Sequence, residues 1–302
     1  MLNDIHRYKN RLRNTAKHYS KKLLFGESIV PPRLIVLGAQ KAGTTAFYTY
    51  LSRHPEIQVP RPKELNYFSS IEPSTLDINA YLNLFPRVYK RHTDRISIDV
   101  SPSYLIDSKR CLTLAEQLNL KLKYIVLLRE PLARAVSAWH MYRQLNDTTP
   151  GWFLNESWVI NFQNLGLNLV RRKADFGKNF NADIEQELEV LEQGKRIELP
   201  IVEFGLYEQQ LSTLYSLVDS SRVLLINSQE LKNNTKTCLN KVISFMELSH
   251  FDFKVDDLNP QFVGHNKPKV SERELEPLRQ YYQQRNRGLE QRLDDAKQWL
   301  TC

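Results

Sequence analysis

Leu34-Ile35-Val36-Leu37-Gly38-Ala39-Gln40-Lys41-Ala42-Gly43-Thr44-Thr45 is the stretch that decides the fold. Four apolar residues stop at a glycine, a turn follows, and a helical pattern runs from about Thr44 to Arg53, which makes the unit a buried strand, a loop and a helix. In that setting successive backbone N–H groups and the positive end of the helix can enclose a phosphate. The glycine spacing suits this. Thr44, however, directly follows the second glycine, where a loop for nucleoside triphosphates carries lysine, and the lysine lies inside the loop as Lys41. That shift argues against a standard ATP-binding loop; a tight strand-to-helix turn with an incidental lysine is the plainer alternative.

The same unit recurs downstream. Tyr124-Ile125-Val126-Leu127-Leu128 runs into Arg129-Glu130-Pro131, with Pro131 suited to the first turn of a helix continuing to about Gln144. Arg95 to Asp99 and Val223-Leu224-Leu225-Ile226 are further short strands with helical patterns around them. The alternation predicts an α/β fold: a mostly parallel sheet of the P-loop type flanked by helices. Leu275, Leu278, Tyr282, Leu289, Leu293, Ala296 and Leu300 predict one long helix from about Ser271 to Leu300, with Pro277 in its first turn.

At the other end, Leu2, Ile5, Tyr8, Leu12, Ala16, Tyr19 and Leu23 recur every three or four residues among Lys and Arg, the pattern of an amphipathic helix. Pro31 and Pro32 bar its continuation. The expected organisation is therefore a basic helical extension over 1–30 and one domain over 31–302. Residues 1–25 would pack on the body, on a second subunit or on an anionic membrane surface, and a mitochondrial presequence is a weaker option.

With 41% hydrophobic and 25% charged residues among 302, the chain has mass for a core and no bias towards disorder or fibre. No apolar run reaches the roughly 18 residues of a membrane span, and no secretory signal is visible. Cys111, Cys238 and Cys302 are far apart and odd in number, which argues against a disulfide framework or structural zinc and makes the cytoplasm the expected compartment. The formal charge of +8 invites a nucleic-acid partner. Residues 1–30, however, carry seven Lys and Arg against Asp4 and Glu27, a balance of +5, so the other 272 residues carry only +3. No nucleic-acid partner is expected for so nearly neutral a body.

Lys41-Ala42-Gly43-Thr44-Thr45, and Arg129-Glu130-Pro131 through Ser137, together resemble the two donor-binding motifs of the sulfotransferases that use 3′-phosphoadenylyl sulfate, in their carbohydrate (heparan-sulfate-like) and bacterial branch. The resemblance implies that the first loop holds the 5′-phosphosulfate, and that Arg129 and Ser137 hold the 3′-phosphate. Physically, a guanidinium at a strand's carboxyl end and a hydroxyl two turns into the next helix can converge on one dianion. Gly205-Leu206-Tyr207, Val223 to Asn227 and Leu278 through Leu289 extend the likeness over roughly 32–293, and it implies that Tyr207 lies near the nucleotide. As a bare aromatic Tyr207 reads as core.

Sulfation of an alcohol needs a base for the departing proton. Pro62-Lys63-Glu64-Leu65-Asn66-Tyr67-Phe68 resembles the family's K-E-x-H-F-F segment, which makes Glu64 the implied base, with Asn66 in place of the histidine. Asp99-Val100-Ser101-Pro102-Ser103-Tyr104 resembles E-K-S-P-x-Y with Val100 in place of the lysine; Asp99 could be a metal ligand, a second base, or, as the plainer reading, a helix cap or structural residue, and ranks below Glu64. Lys267 and Lys269 stand where the related enzymes close a basic loop over the donor. Trp139, Tyr142, Trp152 and Trp158 could line a sugar site, although aromatics beside a helix more often belong to the core.

The implied activity is transfer of a sulfuryl group from 3′-phosphoadenylyl sulfate, without a metal, to a hydroxyl of an acceptor, expected to be a glycan or a glycosylated small molecule. An ATP- and magnesium-dependent phosphotransferase with Asp99 at its metal, and a non-catalytic nucleotide-binding scaffold, are the competing classes.

Overall fold

The computed structural model describes residues 27–89, 94–149, 169–254, 270–294 and 296–301. Its strands are β1 (Glu27–Ile29), β2 (Pro32–Gly38), β3 (Ile57–Gln58), β4 (Arg87–Tyr89), β5 (Ile96–Val100), β6 (Lys123–Leu128), β7 (Leu169–Val170), β8 (Arg196–Ile197) and β9 (Val223–Asn227). Leu34 to Leu37 and Tyr124 to Leu128 are at most 1% exposed, the uninterrupted burial of strands covered on both faces. These runs become the centre of a parallel five-stranded sheet ordered β3-β5-β2-β6-β9. In register, Ile35 lies between Asp99 and Tyr124, and β6 pairs with β9 from Tyr124–Val223 to Leu128–Asn227.

From β2 the chain first builds β3 and β5 on one side, then crosses to β6 and β9 on the other. The order reverses between β2 and β6, and at such a point a crevice opens beyond the carboxyl ends of the strands. Gly38 and Arg129 therefore emerge side by side.

The longer helices are α1 (Thr44–Leu51), α2 (Ser108–Gln117), α3 (Pro131–Thr148), α4 (Phe180–Glu192), α5 (Tyr207–Leu217), α6 (Ser228–Asn233), α7 (Thr235–Phe245), α8 (Glu272–Arg285) and α9 (Ala296–Thr301). One apolar core surrounds the sheet. A second joins α3, α4 and α8 through Trp139, Phe180, Ile184, Leu278 and Tyr282. Beside it Glu187 is fully buried, yet it accepts from the N–H groups of Ile201, Val202 and Glu203 and pairs with Arg172 at 2.5 Å, so its desolvation is compensated. This pins the segment that leads into α5.

Two boundaries differ from the sequence expectation. The C-terminal pattern is two helices, because Asn286 turns its side chain inward, donating to the Gly205 carbonyl and accepting from the Glu208 N–H, and Gly288 follows at φ 99°. Ser271 and Glu274 form a capping box at the start of α8, which places Pro277 in the second turn. Residues 27–29, grouped by sequence with the extension, form β1 against β4. The amphipathic pattern of residues 1–25 lies outside the described residues. Among the described residues no helix is long and apolar enough to cross a membrane.

Candidate active site

The loop after β2 is shaped for close backbone approach. Gly38 sits at φ 149°, and a Cβ there would lie 3.0 Å from the Pro102 carbonyl oxygen and from Leu105 Cβ, so a side chain would be strained and would push these neighbours away. Lys41 and Gly43 both have left-handed backbones, at φ 68° and 96°. A loop that alternates hand in this way turns successive N–H groups to one side. No side chain caps α1 and its first turn holds no acidic residue, which leaves its positive end open to an anion. Ala42 and Thr44 are buried against the core, while Gly43 and Thr45 are exposed.

Helix α3 backs this loop. Gln40 and Tyr142 exchange hydrogen bonds at 2.9 and 3.0 Å, and Lys41 Nζ rests 3.5 Å from Met141 Sδ. Ser137, one turn before Met141, shares that face and is nearly buried. At the start of α3, Glu130 accepts from Leu132 N at 2.8 Å and Ala133 N at 2.5 Å, so its charge is absorbed by the helix end.

Arg129 joins the two motifs. From the end of β6 its Nη1 donates to the Lys41 carbonyl at 3.2 Å. Burial holds its guanidinium below the usual arginine range, with nearby Tyr207 and Glu130 opposing the shift and Arg134 adding to it. Tyr207 is itself fully buried and donates from its hydroxyl to the Arg129 carbonyl at 2.9 Å. It stands behind Arg129 rather than in the crevice. Two residues before Tyr207, Gly205 packs against Tyr282: a Cβ there would fall 2.6 Å from the Tyr282 hydroxyl.

Arg129, Glu130 and Ala133 line a cleft of about 450 Å³. It is lined also by Asn227 at the end of β9, by Ser228 and Gln229 after it, and by Gln298 and Trp299 of α9. Of this second group the sequence reading reaches only Asn227, as the end of a strand. The strand-end position of Asn227-Ser228 was the available signal, but the return of α9 to this place was not.

Glu64 lies on a second turn, with a left-handed backbone at φ 66°, a side chain 44% exposed and an ion pair to Lys63. That turn joins the first loop indirectly. The Asn66 N–H donates to Ser101 Oγ at 3.0 Å, while the Ser101 N–H donates to the carbonyl of Val36 in β2 at 3.1 Å. Asp99 is fully buried. Its Oδ1 accepts from Ser101 Oγ at 2.6 Å, and its Oδ2 from the hydroxyls of Tyr104 at 3.0 Å and Tyr81 at 3.1 Å. Burial pushes its carboxyl up to about 6, the three hydroxyl donors oppose this, and the charge of Glu64 adds to it. With both oxygens occupied and no solvent contact, Asp99 is an internal anchor, neither a cap nor a group facing the crevice.

Trp139 and Tyr142 belong to the core; Trp139 Nε1 donates to Asp183 at 2.7 Å. Trp152, Trp158, Lys267 and Lys269 lie outside the described residues.

The chain is similar to known proteins in sequence and in fold. A protein of Dictyostelium discoideum called membrane-associated sulfotransferase kil1 is 29% identical over 135 residues, 44% of this chain and 28% of its own length. The mouse heparan sulfate glucosamine 3-O-sulfotransferase 5 is 30% identical over 106 residues, 35% of this chain and 29% of its own. The human bifunctional heparan sulfate N-deacetylase/N-sulfotransferase 2 is 24% identical over 225 residues, 73% and 22% respectively. The match thus spans under a third of each relative. The crystal structure of a sulfotransferase from Alicyclobacillus acidocaldarius shares the fold, with a TM-score of 0.61 at 21% identity, covering 89% of this chain and 98% of that one. The model of the sulfotransferase domain matches residues 31–279, taking in the loop after β2, Arg129, Ser137 and the Glu64 turn, and the chain belongs to that family.

Proposed function

We propose that this protein transfers the sulfuryl group of 3′-phosphoadenylyl sulfate to a hydroxyl of a carbohydrate acceptor. The observation that carries the proposal is the contact between Arg129 and the Lys41 carbonyl, which sets two anion-binding elements side by side at the reversal point of the sheet. Two such elements suit a nucleotide phosphorylated at both ribose ends better than a triphosphate chain. Donor and residues fit in kind: backbone N–H groups and an uncapped helix start for one phosphate, Arg129 and Ser137 for the other, and the adjoining cleft for the nucleoside.

When bound, the donor supplies an activated sulfuryl group. The N–H groups of 42–45 with Thr44 and Thr45 hold its 5′-phosphate end, and Lys41 leaves Met141 to neutralise charge on the leaving oxygen. Arg129 and Ser137 fix the other end, Tyr207 holds Arg129 in place, and Lys267 is a further donor ligand. Glu64 accepts the acceptor's proton. Positioning and charge stabilisation supply most of the rate, as in phosphoryl transfer. A carbohydrate acceptor is supported by the heparan sulfate relatives and by Arg61 and Lys63 beside Glu64, cations that attract an anionic glycan. The phosphotransferase alternative loses its metal ligand, because Asp99 is internal and fully hydrogen-bonded.

Calorimetry with adenosine 3′,5′-bisphosphate against ATP, followed by transfer from labelled donor to a panel of glycans bearing free hydroxyls or free amines, tests the proposal. Preference for the bisphosphate and label in an ester are expected. Preference for ATP refutes the donor, label on nitrogen refutes the hydroxyl acceptor, and binding without transfer to any of the panel favours a scaffold.

A further inference from the structure

The turn that presents Glu64 is held in place from behind, and how it is held points to two residues with no assigned part in the reaction. Glu64 and Asn66 are both left-handed, at φ 66° and 49°; asparagine enters this region readily, whereas a glutamate keeps it where its surroundings enforce it. The enforcing contacts converge on Asn66. Its N–H donates to Ser101 Oγ at 3.0 Å, its Oδ1 accepts from Ser103 Oγ at 2.7 Å, and its carbonyl accepts from Ser69 Oγ at 3.0 Å.

Ser101 is fully buried and has one hydroxyl proton, which it gives to Asp99 Oδ1 at 2.6 Å. Its lone pairs are thereby turned to the Asn66 N–H. The direction of this two-step chain is set by Asp99, because a carboxylate can only accept. Tyr81 and Tyr104 occupy the other oxygen of Asp99 and hold it fixed. An asparagine in place of Asp99 could present its amide NH₂ to Ser101 and reverse the chain, leaving the Asn66 N–H opposed by another donor.

We propose that Asp99 and Ser101 are positioning residues for Glu64, fixing through Asn66 the turn from which Glu64 reaches the acceptor; this rests on Glu64 being the base. Neither residue takes the proton. Their effect falls on turnover and on the order of the turn, while donor affinity, which depends on the Lys41 loop and Arg129, stays as it is.

The Lys63–Glu64 bond gives a readout that needs no acceptor, because trypsin cleaves after lysine only where the chain can open locally. In the full-length protein, Ser101→Ala and Asp99→Asn should each speed native-state cleavage at Lys63 by about tenfold, the effect of one lost buried hydrogen bond. Ser101→Thr, which keeps the hydroxyl, should restore the slow rate. With labelled donor and a heparosan oligosaccharide as probe, the same two variants should lower kcat while leaving the Kd for adenosine 3′,5′-bisphosphate within twofold of the parent. Wild-type cleavage rates in both variants overturn the proposal, as does a loss of donor affinity that parallels the faster cleavage. Glu64→Gln separates the two levels. If it retains full transfer to the probe, the base assignment fails even where the turn is anchored as described; if it loses transfer while Ser101→Ala does not, the positioning claim alone fails.

Discussion

Arg129→Gln should weaken binding of adenosine 3′,5′-bisphosphate far more than binding of adenosine 5′-phosphate. Arg129 is already largely desolvated in the free protein, and among the described residues its guanidinium donates one hydrogen bond, to the Lys41 carbonyl. A phosphate arriving there finds a cation that has already lost much of its hydration, so the contact is worth about 1.5–3 kcal/mol, the range of hydrogen bonds to charged groups. At about 1.4 kcal/mol per factor of ten, the bisphosphate loses roughly 10- to 150-fold in affinity.

The substitution also frees the Lys41 carbonyl and can loosen the loop, which would weaken every nucleotide. For that reason the quantity to measure is the double difference: two proteins, two ligands, four calorimetric titrations at one salt concentration. Loop distortion enters both ligands alike and cancels; direct pairing of Arg129 with the 3′-phosphate does not. An excess of at least tenfold for the bisphosphate is expected. Equal losses for the two ligands would refute the assignment of Arg129 to the 3′-phosphate, whatever their size.

Lys41→Ala should remain folded and bind the bisphosphate, yet lose about 10²- to 10³-fold in transfer from labelled donor, the usual effect of removing one group aimed at developing charge; near-normal turnover would remove Lys41 from the chemistry. Gly205→Ala places a methyl group against a tyrosine ring that cannot withdraw, because Tyr282 donates to the Val202 carbonyl at 2.9 Å, and should cost about 1–3 kcal/mol in urea denaturation. Asp99 is held at about 6 in the fold against an ordinary 3.8, so the folded state binds this proton more tightly than the unfolded one. Its contribution to stability is complete below pH 3.8 and is lost as pH rises through 6, about 3 kcal/mol in all. Asp99→Asn has no proton to lose, and the difference in unfolding free energy between the two proteins should change by that order between pH 4 and 6; a difference independent of pH would contradict the assignment.

The centre of the sheet was legible because β2 and β6 are buried on both faces, and burial of that kind forces an unbroken apolar run. The edge strand β3 was not, since two residues carry no period. The two strand–loop–helix units proposed to hold the donor were legible for a related reason: each is local, a loop or a strand end followed directly by its helix. What pattern reading could not reach were contacts closed by tertiary return. Asn286 breaks the C-terminal helix because it satisfies Gly205 and Glu208, some 80 residues earlier, and neighbouring residues in sequence do not announce this. Trp299 lines the cleft for the same reason. Asp99 was ambiguous because an aspartate at a strand end serves equally as ligand, base or cap, and only the three hydroxyls around it decide.

The sheet divides the labour. Elements that suit an anionic donor emerge from β2 and β6, whereas Glu64 is anchored through the turn that follows β5. The two halves touch at Gly38, whose missing side chain lets the Pro102 carbonyl and Leu105 pack against the start of the loop. Backbone contact of this kind fixes one half relative to the other without passing side-chain charge between them. Glu64 can therefore be aligned with the Lys41 loop to within the stiffness of three adjacent parallel strands. That rigidity is what in-line transfer demands, because the attacking oxygen and the leaving oxygen must be held on opposite sides of one atom by groups that do not move together.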